Sequence, residues 1–159
     1  MMMKITLRKA GKNDIPEILA LIRELATYER APQEVTVTAE DLEKDGFGDN
    51  PAFEVLLAFN DEQLLGMAFY YFSYSTWKGK CLYLEDIIVK EQFRGNKAGK
   101  LLFEAVIKKA RETGAKRMHW QVLEWNEPAI NFYKKYGAVL DETWTNGKFT
   151  EEQLAAFKL

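Results

Sequence analysis

The turn that follows the most apolar strand of this sequence has the residue types of an anion-binding site. Arg94, Gly95, Lys97 and Gly99 stand between an apolar run ending at Val89 and a helix-patterned run. Backbone N–H groups in such a turn, with the positive end of the helix that follows, can hold an anion such as a pyrophosphate. Taken alone, however, this short segment is more typical of a strand-to-helix turn with no function.

Two adjacent carboxylates, Glu85 and Asp86, lie in the middle of the same apolar strand. A carboxylate there can accept a proton or hold a cation, or it can simply pair with a lysine or arginine. Because neighbouring side chains of a regular strand point to opposite faces, we expect the two not to serve the same site equally. Cys81 and His119 are the only residues of their types, so we predict no metal site and no intrachain disulfide.

Length and composition predict one globular domain spanning residues 1–159. The 22 Lys and Arg against 24 Asp and Glu give a net charge of −2, which argues against a nucleic-acid-binding protein. No apolar run approaches the roughly 20 residues that span a bilayer, so we expect no membrane segment. The single cysteine and the lack of a secretory signal pattern favour a cytoplasmic protein.

Hydrophobic periodicity predicts the element order β-α-α-β-β-β-α-β-α-β, which is a mixed-sheet α/β (α+β) fold with helices on both faces. The predicted strands cover residues 4–8, 53–59, 63–74, 80–89, 116–123 and 139–144. The predicted helices begin near Asn13 or Asp14, at Thr38, at Lys97, at Asn126 and at Thr150. Thr38 and Thr150 each have an acid or amide three residues later, the pattern of a capping box.

This order, with the turn at Arg94 after a long strand, resembles the GNAT superfamily of acyl-CoA-dependent N-acetyltransferases. Four further segments resemble the diamine (spermidine/spermine) acetyltransferase family within it: 24–29, 45–48, 83–86 and 124–134. They keep their order over most of the chain, so the resemblance is more specific than a glycine motif. It implies a GNAT-like acetyltransferase domain, acetyl-CoA as co-substrate and a homodimer.

The resemblance also assigns residues to the cofactor. The backbone of Ile87, Ile88 and Val89 would pair with the pantetheine arm of acetyl-CoA. The turn would hold the pyrophosphate through Arg94, Gly95, Asn96, Lys97, Ala98, Gly99 and Lys100. Asn126 and Ala129 would contact the cofactor from the next helix, although Asn126 is also a plain helix N-cap. Lys97 stands where the superfamily usually has glycine, so we expect it to adopt a glycine-like backbone and to add a cation near the phosphates.

Acetyl transfer to an amine needs a base, a stabilised oxyanion and a proton for the leaving thiolate. The resemblance makes Tyr133 the general acid, and its usual pKa of about 10 keeps it protonated at neutral pH. Glu85 would be the base, acting through water, and a backbone N–H near Ile87 or Ile88 would face the oxyanion. On the helix pattern alone, Tyr133 could instead be a core tyrosine beside Phe132.

The acceptor implied by the resemblance is a small cationic amine. Its contacts would be Tyr28, Glu29, Ser75, Trp77, Glu85, Asn126 and Glu127. Ser75 replaces the aspartate of polyamine-acetylating members, and 74–79 instead resembles the branch that acetylates thialysine. We therefore expect a thialysine-like, lysine-like or short diamine acceptor. The alternatives are a spermidine/spermine acetyltransferase, a non-catalytic acyl-CoA-binding protein and a protein-modifying acetyltransferase.

Overall fold

The computed structural model describes residues 3–158, and the chain divides into two compact units. The first unit reaches to Gln121 and the second begins at Val122. The prediction of one acetyltransferase domain over residues 1–159 stays a prediction. Within residues 3–158, no helix combines the length and the apolar character needed to cross a membrane.

The first unit is a five-stranded sheet with helices, which confirms the predicted mixed α/β class. Its strands are β1 (Ile5–Lys9), β2 (Glu54–Asn60), β3 (Gln63–Ser75), β4 (Gly79–Val89) and β5 (Met118–His119), in the spatial order β1-β2-β3-β4-β5. All neighbours are antiparallel except β4 and β5. Its helices are α1 (Ile15–Tyr28), α2 (Ala39–Phe47) and α3 (Ala98–Glu112).

The second unit contains two short helices, α4 (Glu127–Lys134) and α5 (Glu151–Ala156). Each begins directly after the capping residue that the sequence predicts. The Asn126 side chain accepts a hydrogen bond from the Ala129 N–H, and Thr150 forms a capping box with Gln153. These caps satisfy N–H groups that a helix cannot pair internally.

The main core lies between the sheet and the first two helices. Apolar side chains on one stripe of α1 and α2 pack against alternate positions of the strands, as the helical and strand periods require. The fully or nearly fully buried members of this cluster include Ile18, Leu21, Leu42, Val55, Leu57, Met67 and Ile88. α3 packs against β2, β3 and β4, where the intervening strand positions are also buried.

The register between β3 and β4 breaks in the middle of β4. Phe69 lies opposite Asp86, but the next residue, Tyr70, lies opposite Leu84. Glu85 is therefore an extra residue on β4, which is the arrangement of a β-bulge. A bulge changes the direction of the side chains around it, so the simple alternation of faces ends at Glu85.

β4 and β5 separate soon after they meet. They pair only through Leu82 with Met118 and Tyr83 with His119. On that side, no strand within residues 3–158 pairs with β4 from Leu84 to Val89. Apart from the Val89 carbonyl, which accepts a hydrogen bond from Arg94 Nε, the backbone N–H and C=O groups on this edge are therefore available to a ligand.

Two predicted strands differ from the structure. The strand predicted at 116–123 contains only the two residues of β5, because the parallel pairing with β4 ends there. The strand predicted at 139–144 is wrong, since 138–150 form no helix or strand. Val139 and Trp144 are 89% and 74% exposed, so their apolar pattern is not matched by burial against a neighbouring strand.

Candidate functional site

A cavity of about 490 Å³ in the first unit combines carboxylates with apolar and aromatic walls. We call it the acidic cavity. Its lining comes from α1, α2, the segments before α2 and β2, and strands β3 and β4. The lining residues are Ile22, Val37, Asp41, Leu42, Asp45, Ala52, Phe53, Phe69, Tyr71, Glu85 and Asp86.

The β-bulge brings Glu85 and Asp86 to the same cavity. Both residues line it, so the expectation that the two could not serve one site equally is wrong. The physical reason is that the extra residue at Glu85 interrupts the two-residue alternation of β4. Asp86, to which the sequence pattern assigns no role, therefore joins Glu85 as a candidate for binding a cation.

The protein environment raises the pKa of both carboxyl groups. Burial, with the negative charges of Glu85 and Glu29, raises the pKa of Asp86 to about 7. Burial alone raises the pKa of Glu85 and that of Glu29. Like charges near one another in a partly desolvated cavity disfavour full ionisation, and a bound cation would relieve that repulsion.

Aromatic rings form the apolar wall of the acidic cavity. The Phe53 and Phe69 rings stack with centroids 4.2 Å apart, and Phe47 meets the edge of Phe53. Gly46 makes this packing possible, because a Cβ atom there would overlap the Phe53 ring. Such faces suit an alkyl stem, and the π-electron density also attracts a cationic group.

α2 contributes two carboxylates to the cavity, but they are not equivalent. The Asp41 carboxylate accepts hydrogen bonds of 2.9 and 2.8 Å from the backbone N–H and hydroxyl of Thr38, as the capping box requires. Among residues 3–158, the Asp45 side chain makes no hydrogen bond or ion pair. Asp45 is thus the carboxylate of α2 that remains available to a ligand.

The turn of residues 94–100, here the Arg94 turn, has the backbone of an anion cradle. Gly95 and Lys97 both have positive φ, 83° and 67°, and Lys97 is the residue before α3. Lys97 therefore adopts the left-handed conformation usual for glycine, at a cost of about 1–2 kcal/mol. No side chain caps the N-terminus of α3, whereas Thr38, Asn126 and Thr150 cap theirs. The first N–H groups of α3 are left for an anion.

Arg94 is held from two sides. Its Nε donates a 3.3 Å hydrogen bond to the Val89 carbonyl, and its guanidinium lies 4.9 Å from the centroid of the Tyr28 ring. Glu24 on α1 also accepts a 3.4 Å hydrogen bond from the Glu91 N–H, just before the turn. The C-terminal half of α1 thus contacts the segment that leads into the Arg94 turn.

The remaining predicted cofactor residues of the first unit lie on β4 and at the start of α3. Ile87, Ile88 and Val89 end β4, on the strand edge that β5 leaves unpaired. Lys100 lies in the first turn of α3 and pairs with Glu104 at 3.8 Å. These positions, together with the Arg94 turn, fit an elongated ligand with a polar arm and phosphates.

Ser75 and Trp77 lie at the tip of the β3–β4 hairpin and do not line the acidic cavity. The Ser75 hydroxyl accepts hydrogen bonds of 3.2 Å from the N–H groups of Trp77 and Lys78, which orders the turn. Tyr28 and Glu29 also lie outside the lining, although the charge of Glu29 acts on Asp86.

The other predicted residues belong to α4 in the second unit. Asn126 is buried and caps the helix: its Oδ1 accepts a 3.3 Å hydrogen bond from the Ala129 N–H. Glu127 is the first helical residue and is exposed. Tyr133 is buried, 5% exposed, with its ring 5.4 Å from that of Phe132.

A comparison with known protein families identifies a family for this chain, whose first unit combines the Arg94 turn, the unpaired edge of β4 and the uncapped start of α3. The acetyltransferase (GNAT) family matches residues 16–138. The chain belongs to the GNAT acetyltransferase family. The prediction of an N-acetyltransferase is therefore confirmed, and GNAT acetyltransferases use acetyl-CoA as their co-substrate.

Relatives of this GNAT acetyltransferase confirm the finer resemblance. It is 41% identical to thialysine N-epsilon-acetyltransferase of Bos taurus over 84% of each chain. It is 40% identical to the human spermidine/spermine N(1)-acetyltransferase-like protein 1, over 93% of this chain and 23% of that protein. An integron cassette protein from V. cholerae shares the fold, with a TM-score of 0.78 at 22% identity over 96% of each chain.

The sequence alone did not identify Asp86, Asp45 or the aromatic wall of the acidic cavity. The sequence shows two adjacent acids at 85–86. The bulge that directs both toward one cavity, however, depends on the register between β3 and β4. Asp45 belongs to the family-like segment 45–48 and Phe53 begins a predicted strand, but neither pattern indicates a cavity. A spacing signal did exist for α2, because Asp41 and Asp45 are four residues apart and so share a helix face.

Proposed function

We propose that this GNAT acetyltransferase transfers an acetyl group from acetyl-CoA to a primary amine of a small cationic acceptor. The acceptor class is thialysine-like or lysine-like amino acids and short diamines. The acidic cavity beside the unpaired edge of β4 is the observation that carries the proposal. Relatives named for thialysine acetylation support the same class.

The Arg94 turn and the end of β4 form the proposed cofactor end. Backbone groups of Ile87, Ile88 and Val89 would bind the pantetheine arm. The N–H groups at the start of α3, with Arg94 and Lys97, would bind the pyrophosphate. Acetyl-CoA would supply the acetyl group as an activated thioester.

The acidic cavity forms the proposed acceptor end. Glu85 and Asp86, with the nearby charge of Glu29, favour a substrate that carries a positive group besides the reacting amine. The stacked rings of Phe53 and Phe69 suit the methylene stem between the two groups. A neutral monoamine would leave the carboxylate charges of the cavity uncompensated and should bind weakly.

The proposal assigns the two proton transfers to Glu85 and Tyr133. Glu85, whose raised pKa makes it a better base, accepts the proton of the acceptor amine through a water. Tyr133 donates its hydroxyl proton to the leaving thiolate. A backbone N–H near Ile87 or Ile88 stabilises the oxyanion.

Thiol release with a panel of amines tests the proposal. We expect turnover with thialysine, lysine or putrescine, and a higher kcat/KM for these than for spermidine, spermine and a neutral alkylamine. No turnover with any amine, together with tight CoA binding, would favour the non-catalytic acyl-CoA-binding alternative. Acetylation of peptide lysines in preference to the free amines would favour a protein-modifying enzyme.

Spermidine is the second candidate acceptor, because Asp41 and Asp45 extend the carboxylates of the cavity beyond the bulge. A longer polyamine could place a further ammonium group near Asp45. A kcat/KM for spermidine above that for thialysine would select this candidate. The difference should then shrink in an Asp45→Asn variant.

A homodimer is part of the proposal. Exposed apolar side chains of the second unit support it, since single chains rarely leave so many uncovered. They are Val139, Trp144, Phe149, Leu154 and Phe157. Sedimentation equilibrium should give twice the mass of one chain, and a monomer at micromolar concentration would contradict this assignment.

A further inference from the structure

We infer that Tyr28 is a positioning residue for the phosphate-binding arginine, rather than primarily a contact for the acceptor amine. This inference rests on the proposed function, since it concerns the cofactor end of the same site. Resemblance alone places Tyr28 with the acceptor. The structure instead places its ring against Arg94, with the guanidinium 4.9 Å from the ring centroid.

Two contacts fix the Arg94 side chain before any ligand binds. The Tyr28 ring supports the face of the guanidinium, and the Val89 carbonyl accepts from Nε at 3.3 Å. Stacking engages the face of a guanidinium and leaves its in-plane N–H donors accessible. Among residues 3–158, the two terminal nitrogens of Arg94 make no hydrogen bond or ion pair. The fork that suits a phosphate is therefore held open.

Without such contacts, an exposed arginine side chain would sample many rotamers. Arg94 is exposed, and a long side chain loses conformational entropy when it binds a phosphate. Because Tyr28 and Val89 already restrict it, less entropy is lost on binding. Tyr28 ends α1, and Glu24 one turn earlier accepts from the Glu91 N–H, so the same helix fixes both the ring and the start of the turn.

The location of Tyr28 also distinguishes it from the acceptor residues. It does not line the acidic cavity, whereas Asp86 and Glu85 do. Glu29, the next residue, also lies outside the lining, but its negative charge acts on Asp86. Two neighbouring residues at the end of α1 thus have different roles. The Tyr28 ring supports Arg94, whereas the Glu29 carboxylate acts on Asp86 in the cavity.

The test compares Tyr28→Leu with Tyr28→Phe, using a donor with and a donor without the pyrophosphate. For Tyr28→Leu we expect the KM for acetyl-CoA to rise about three- to tenfold, the range of a cation–π contact. The KM for S-acetylpantetheine, which has no pyrophosphate, should be unchanged, as should the kcat. Tyr28→Phe keeps the ring and should behave like the parent protein with both donors.

Calorimetric CoA binding and a double-mutant cycle make the test independent of turnover. Tyr28→Leu should weaken CoA binding in the parent but have little further effect in Arg94→Lys, which loses the planar group. Equal KM increases for both donors, or a rise confined to the acceptor KM, would overturn the inference. Absent turnover in the parent would instead refute the proposed function, while the CoA-binding cycle would still decide the role of Tyr28.

Discussion

Two regions adjoining the same strand, β4, present opposite charge. The Arg94 turn at its C-terminal end offers backbone N–H groups and cationic side chains. The bulge at Glu85 offers carboxylates to the acidic cavity. Seven residues, 87–93, separate the two regions in sequence, and the first three of them complete β4. The two ends of this short stretch thus present an anion-binding region and a cation-binding region.

The two regions are also built differently. The Arg94 turn is one continuous segment, and its geometry follows from a strand, two residues of positive φ and a helix start. The acidic cavity draws on two helices, two strands and the segments before α2 and β2. A local motif can therefore indicate the first region, whereas the second exists only when the sheet register and helix packing are in place.

The largest expected effect comes from a residue in neither region. Tyr133→Phe should lower the kcat at least about 100-fold, because it removes the proton proposed for the leaving thiolate. The dissociation constants of CoA and of the acceptor should change little. Steady-state kinetics and calorimetry measure these quantities, and Tyr136→Phe on the same segment is the control. An unaltered kcat would remove Tyr133 from the mechanism.

Asp86→Asn should separate the two regions most clearly. Removing this partly buried carboxylate should raise the KM for a cationic acceptor about 30-fold, the size expected for a desolvated charge pair. The KM for acetyl-CoA should stay the same. Asp49→Asn is the matched control, since Asp49 is exposed and outside the cavity. Equal effects on both substrates would mean that the two regions do not act separately.

Stability should depend on pH through Asp86. Its pKa is raised from an ordinary 3.8 to about 7, so the folded protein binds more protons than the unfolded chain between these pH values. The free energy of unfolding should therefore fall as pH rises from 4 to 7. We expect Asp86→Asn to become more stable than the parent by about 1–2 kcal/mol above pH 7, after allowance for solvent screening.

Urea unfolding at pH 5 and pH 8 measures this difference. At pH 5, where Asp86 is protonated in the folded protein, the variant and the parent should be closer in stability. A cationic diamine should shift the parent toward higher stability at pH 8, because binding compensates the carboxylate charges. A stability difference independent of pH would contradict the raised pKa of Asp86.

The same contrast explains what the sequence could predict. Helix starts at Thr38, Asn126 and Thr150 were predictable because capping depends on residues within one turn. The Arg94 turn was predictable for the same reason. The presence of both Glu85 and Asp86 in the lining of one cavity was not predictable. The bulge that causes it arises from pairing with β3 and leaves no local signal in the sequence of β4. The strand predicted at 139–144 failed because strand residues need a partner as well as an apolar pattern.

The smallest effect concerns Lys97, where backbone geometry and charge should act in opposite directions. Its φ of 67° suits glycine, so Lys97→Gly should relieve the left-handed strain and raise the free energy of unfolding by up to about 1 kcal/mol. It also removes a cation near the proposed phosphates, which should weaken CoA binding about threefold. Chemical unfolding and calorimetry measure the two effects separately.

Asp61→Gly provides the matched control, because Asp61 also has a positive φ, 52°, but lies in the β2–β3 hairpin away from the turn. It should stabilise the protein in the same way without changing CoA affinity. If Lys97→Gly tightened CoA binding instead, the lysine would be a steric obstacle that the family's usual glycine avoids. Phosphate binding would then depend on backbone N–H groups and on Arg94. Arg94 would be the cationic side chain of the turn that binds the phosphates, and Lys97 would not contribute.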